Sequence, residues 1–280
     1  MKIIFIYRNI LNLMILLLGS QLLMQSCSEK IQWDLKYQEE DLIVVEGKIT
    51  NEVKQHEVKL TRPVVEINSI PEPVTGAVVE INDGRIIHPL TEDLSRPGIY
   101  LTAPDFSGEA KRGYQLRIRY GGKRINAIAF MREVTPFQFM RPFPVQTDPL
   151  LYEVYVSDSD DGPAIVRMEL DWSHVPGYDT LSVDKNHALI YHYTLKSIDV
   201  NRIFSPDREH VRFPPGTIVF REKESVSKEY EEFLRGILSE TDCRGGVFDV
   251  LPGNARTNLG EGAIGYFTAA EVIRDTVVID

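Results

Sequence analysis

The sequence predicts a mainly β protein: two β-rich domains behind a membrane-directed leader. Three observations carry this. Short runs rich in β-branched or alternating apolar and polar residues recur between Leu42 and Ile279, turn-forming Gly, Asn, Asp and Pro separate them, and only Ser225–Glu240 repeats its apolar residues at three- and four-residue steps. The 280 residues therefore divide into segments 1–26, 27–40, 41–134, 135–149 and 150–280.

Residues 1–26 read as a signal peptide. Lys2 and Arg8 lead a nearly uncharged apolar run, Ile10–Met24, which ends in Gln25-Ser26-Cys27. A basic start, an apolar middle and a small residue before a cleavage point describe a secretory leader. The run is shorter than the roughly 20 apolar residues needed to span a bilayer. A cysteine directly after the small Ser26 resembles a bacterial lipoprotein signal, in which that thiol is acylated and becomes the mature N-terminus. Cys27 is thus the expected lipidation site. A plain cleaved signal and a retained helix are the competing readings. With Cys27 so used, Cys243 is alone and the exported body has no internal disulfide.

Removing residues 1–26 leaves 254 residues, enough for two domains of about 100–150 residues each. It also removes two cations and no acid, taking the net charge from −10 to −12. That balance argues against nucleic acid and against electrostatic attraction to anionic lipid, and fits a charge that keeps an exported protein soluble.

Residues 27–40 form a polar tether. In 41–134, Leu42–Ile49 is β-branched, Val58 and Leu60 fall in a stretch broken at Pro63, and Asn82-Asp83-Gly84 marks a hairpin turn. Tyr114, Leu116, Ile118 and Tyr120 alternate with Gln115, Arg117 and Arg119, and Gly121-Gly122 turns the chain back through Arg124–Arg132. About seven such strands predict an immunoglobulin-like β-sandwich.

Pro136, Pro142, Pro144 and Pro149 make 135–149 a Pro/Phe-rich linker. Its Phe137, Phe139, Met140 and Phe143 either wedge between the two halves or form a candidate docking patch for a partner. In 150–280, Tyr152–Val156 and Val166–Trp172 read as a hairpin, and His187–Lys196 as a strand with Leu189, Tyr191 and Tyr193 on one side. Helix 225–240, capped by Ser225 or Ser227, is expected to pack on the second sheet, with Ala263–Phe267 and Val272–Ile279 as closing strands.

No G-x-S-x-G, H-E-x-x-H, phosphate-loop or C-x-x-C motif occurs. His187 and His192, five apart, fall on opposite faces of a strand and could not share a metal. Asp158-Ser159-Asp160-Asp161-Gly162 places its glycine one position early for a calcium loop and reads as a solvated turn. The expectation is a protein without catalytic residues, metal or cofactor.

The chain as a whole resembles the DUF4249 family of Bacteroidetes lipoproteins. The resemblance lies in the Ser26–Lys30 start, Leu42–Ile49, Lys59–Pro63, Thr75–Ile81, Gly113–Ile118, Ser225–Leu238, Pro252–Ala255 and Gly260–Phe267. It implies an outer-membrane lipoprotein, surface-exposed or facing the periplasm, that works as an accessory to a TonB-dependent transporter in nutrient or cargo handling. A structural or adhesion lipoprotein is the alternative, and a hydrolase whose residues meet only in the fold is a third.

Overall fold

The computed structural model describes residues 41–64, 66, 68–154, 162–194, 211–241 and 255–280. Cys27, Cys243, His210 and the Asp158–Asp161 turn lie outside them. The chain is mainly β, and residues 41–280 form one compact unit.

Eight strands come first: β1 (Ile43–Thr50), β2 (Glu57–Thr61), β3 (Val78–Asn82), β4 (Ile87–Pro89), β5 (Thr91–Glu92), β6 (Ile99–Leu101), β7 (Gly113–Tyr120) and β8 (Lys123–Phe130). Next follow β9 (Phe143–Val145), β10 (Asp148–Glu153), β11 (Ala164–Asp171), the one-turn helix α1 (Val183–Asn186), β12 (His187–Tyr193), β13 (Arg212–Phe213) and β14 (Ile218–Ser225). Helix α2 (Lys228–Thr241), β15 (Ala263–Ala270) and β16 (Val272–Val278) complete the described residues.

Two sheets, ordered β15-β1-β2-β6-β5 and β4-β3-β7-β8, form a sandwich around one apolar core. The alternation in β7 explains its place. Tyr114, Leu116 and Ile118 are buried while Gln115, Arg117 and Arg119 face outward, and each fully buried Leu or Ile contributes roughly 1.5–3 kcal/mol. Gly121 and Gly122 take positive φ and let β7 turn directly into β8. At the β3–β4 turn, the Asp83 carboxylate accepts the N–H groups of Arg85 (2.8 Å) and Ile86 (2.7 Å).

The strand Ala263–Ala270 departs from expectation. It pairs in parallel with β1 along its whole length, Ile43 opposite Ala263 through Thr50 opposite Ala270, and so belongs to the first sheet. Gly265 makes this approach feasible: at φ +97°, a Cβ there would sit 2.2 Å from the Val45 carbonyl oxygen. Asn258 fastens the free edge of β15. Its Nδ2 donates to the Phe267 carbonyl (2.8 Å) and its Oδ1 accepts the Phe267 N–H (3.1 Å), and the same Nδ2 reaches the Ile128 carbonyl of β8 (2.9 Å).

Glu271 alone separates β15 from β16, which joins a second four-stranded sheet, β12-β11-β14-β16. A polar seam ties the halves there. Asn51 makes both bonds to Val272 (3.2 and 2.8 Å), Ser225 Oγ accepts the Glu271 N–H (2.9 Å), and Lys48 pairs with Glu224 (2.7 Å).

Three further expectations change. Tyr152 does not form a hairpin with β11, because β12 and β14 occupy both edges of β11; β10 lies instead in a small sheet, β13-β10-β9. The Pro-rich segment is not wholly irregular: Pro144 sits on edge strand β9, and Pro149 falls where the β9–β10 register shifts, so neither removes a needed ladder donor. The helix starts later than Ser225, whose backbone closes β14. Ser227 caps it, its Oγ accepting the Tyr230 N–H (3.1 Å). Its Tyr230 and Phe233 pack on Tyr266 of β15, ring centroids 4.9 and 4.8 Å away, so the helix rests on the first sheet.

Candidate functional site

The Phe/Met segment splits in two. Phe137 and Met140 turn inward onto the second core, formed by Val166, Met168, Leu170, Trp172, Phe213 and Val219. Arg221, nearly buried on β14, contacts the segment there: its guanidinium lies 4.4 Å above the Phe137 ring, donates to the Gln138 carbonyl (3.1 Å) and forks onto both carboxylate oxygens of Asp275. Phe139 points the other way and is 86% exposed, and Phe143 is half-exposed on the β9 edge. Leu150, on β10, is also exposed, at 76%.

An apolar surface lies on the outer face of the sheet β12-β11-β14-β16. Leu189, Tyr191 and Tyr193 share one side of β12, as their alternation implies, but that side is open to solvent. Phe220 of β14 stands on the same face, one strand beyond Glu169, which is paired with Leu189. Arg167 and Glu169 form an ion pair between them (2.8 Å), and a hydrogen bond with Tyr191 helps hold the Arg167 pKa above its ordinary value. The face is aromatic, partly charged and flat.

The titratable groups explain themselves structurally. His187 faces outward beside Asp171 (3.2 Å), whereas His192 faces inward opposite Val166, so their side chains diverge. Among the described residues, no group of three or more His, Cys, Asp or Glu side chains stands close enough to hold a metal ion. Burial pushes the Tyr230 and Tyr266 phenols up to about 12. Glu52 is lowered to about 2 despite burial, because Arg274 and Lys54 bond to it. Asp83 falls to about 2 against its own burial through the Ile86 N–H, His88 and the Arg85 N–H.

His56 is the most perturbed histidine. It is buried inside the sandwich, edge-on to Phe106 at 5.4 Å, and burial lowers its pKa to about 4. The Thr50 N–H donates to its Nε2 (3.1 Å), which leaves the ring proton on Nδ1 without a partner. It is sealed from solvent and holds the β1–β2 connection.

Shallow cavities also lie among the described residues. One, about 430 Å³, is lined by Glu232, Arg235, Gly236 and Arg256; another, about 220 Å³, lies between Phe130, Glu133, Pro163 and Val226. Neither lining brings a histidine or cysteine beside a nucleophile.

No curated protein matches the sequence. A family profile, the domain of unknown function DUF4249, matches residues 28–276, nearly the whole chain, and the protein belongs to that family.

Proposed function

We propose that this protein is a non-catalytic, lipid-anchored accessory of the outer membrane, which docks to a TonB-dependent transporter and helps it handle nutrient or cargo. The observation that carries the reading is the leader ending at Ser26, directly before Cys27, together with a family match that starts at Ser28. An acylated Cys27 would hold the body at a membrane surface through two or three chains, which is lasting attachment. Support for a docking role comes from the exposed Phe139 and Phe143, and from Leu189, Tyr191 and Phe220 on one sheet face. Aromatic groups of this kind are enriched at the centres of protein interfaces. The transporter as partner comes from the family resemblance.

Purification of the full chain from mildly solubilised membranes tests this. A β-barrel protein should co-purify, and Phe139→Asp with Phe143→Asp should reduce its recovery at least about tenfold, as expected when an anchoring aromatic is lost. Recovery of the chain alone, still acylated, rejects the transporter role.

A further inference from the structure

The acidic net charge of the chain conceals a local reversal at the β7–β8 hairpin. Arg117, Arg119, Lys123 and Arg124 fall within eight residues that contain no acid. Arg62 stands at the same end on the other side of the hairpin, its guanidinium 5.6 Å from the ring of Tyr120, which points opposite to Arg119. The carboxylates that bond to this group among the described residues are Asp41, held by Arg62 and Lys123, and Glu80, 3.3 Å from Arg119. The outer face of the hairpin therefore carries three arginines, Arg117, Arg119 and Arg124, against one carboxylate, Glu80, on a chain of net charge −10.

The arrangement of the arginines is unfavourable by itself. Arg119 and Arg124 stand directly opposite each other across the ladder, a like-charge pairing that destabilises a sheet. Arg117, on the same face, has Nε and one terminal nitrogen committed to the neutral Gln115 amide (3.1 and 2.7 Å). The Arg124 side chain has no ion-pair or hydrogen-bond partner among the described residues. Guanidinium groups grouped in this way match phosphate oxygens, which they bind through paired N–H donors.

The position of the patch identifies the phosphate. Asp41, bonded to Lys123 and Arg62, is where the described body begins, so the chain enters the fold at this end of the sandwich. Cys27 lies 14 residues earlier, a reach of at most about 50 Å when extended. Tethering within that reach raises the effective concentration of the patch at an anchored lipid surface, and the acidic remainder is repelled from the same surface. We propose that the outer face of the β7–β8 hairpin, through Arg117, Arg119 and Arg124, is the side on which the body lies against the membrane, binding the phosphates of anionic lipid headgroups. This rests on the anchoring at Cys27 proposed above.

Arginine-directed labelling with phenylglyoxal, read by mass spectrometry on the full chain in vesicles, tests it. Vesicles are made of phosphatidylcholine alone or with about one-third phosphatidylglycerol. Labelling of Arg119 and Arg124 should slow at least about fivefold on the anionic vesicles only, and recover at about 0.5 M salt, where screening shortens the range of the interaction. Arg85, on the β3–β4 turn at the opposite end of the sheet, should label equally on both. In the double variant Arg119→Gln, Arg124→Gln, protection of Arg117 should vanish. Equal rates on both vesicles, protection that salt leaves intact, or protection found only in native membranes where a protein partner is present would each overturn the proposal. The same digest reports the mass of the N-terminal peptide. Acylated Cys27 without protection sinks this inference alone. Unmodified Cys27 sinks the anchor alone, and protection is then read by adding the same vesicles to the chain in solution.

Discussion

In the first sandwich, two sheets turn their apolar sides onto one core, and Ile43, Leu60, Ile81 and Leu116 are fully buried between them. In the second half, a single four-stranded sheet covers a thinner core. Its inner face carries Arg221 and Lys223 beside Val219, and its outer face leaves Leu189, Tyr191 and Phe220 in water. Both halves leave apolar residues in water, among them Ile70, Leu94 and Ile128 in the first, but the second gathers Leu189, Tyr191, Tyr193 and Phe220 on one sheet face. An apolar group left exposed on a folded monomer is stability forgone, which is why such groups mark contact surfaces.

Four perturbations break or sharpen this contrast. The largest effect is expected from Gly265→Val. Its side chain would collide with the Val45 carbonyl, unpair β15 from β1 and cost more than about 5 kcal/mol, visible as loss of a single cooperative urea transition. Next, Leu116→Ala should cost about 4–5 kcal/mol and Leu170→Ala about 2–3 kcal/mol, because half-buried neighbours around Leu170 can relax into the space. Equal losses would show the two cores to be equivalent.

The third perturbation is acid. The folded pKa of His56, about 4, lies below the ordinary 6.5, so the unfolded chain binds the extra proton. Stability is therefore complete above about pH 6.5 and falls as pH drops toward 4, by up to about 1.4 kcal/mol per pH unit. His56→Gln should flatten thermal stability across that window. The carboxylates Glu52 and Asp83, lowered to about 2, act only below about pH 4.5, so both proteins should lose stability there. The smallest effect on stability is expected from Tyr191→Ser and Phe220→Ser, within about 0.5 kcal/mol, although co-purification of a partner should fall.

Legibility in the sequence followed locality. Strand β7 could be read directly, because one wet face and one dry face produce a clean alternation and Gly121-Gly122 fixes the turn. The partner of β15 could not. Residues Tyr266–Ala270 are all buried, so no alternation shows, and the strand they pair with lies over 200 residues earlier. The prolines of 135–149 hid β9 because edge positions tolerate them. The β12 strand was legible as a strand, but alternation does not say which side is inside. Ala188 and Ile190 face the core while the bulkier Leu189 and Tyr191 do not. The arginine face was masked by the overall charge, which averages over distance. Of the candidate site residues, Phe137 and Met140 pack on the second core, and Arg221, unremarked in the sequence, lies over the Phe137 ring.

The parallel pairing of β1 with β15 bears on how the chain matures. A polypeptide is made from its N-terminus, and Ile43–Thr50 must remain without its neighbour on that edge until residues 263–270 have followed. Closing a loop of that span is slow, and an uncovered strand edge invites pairing with other chains. A chaperone that covers the strand would shield that edge during the wait.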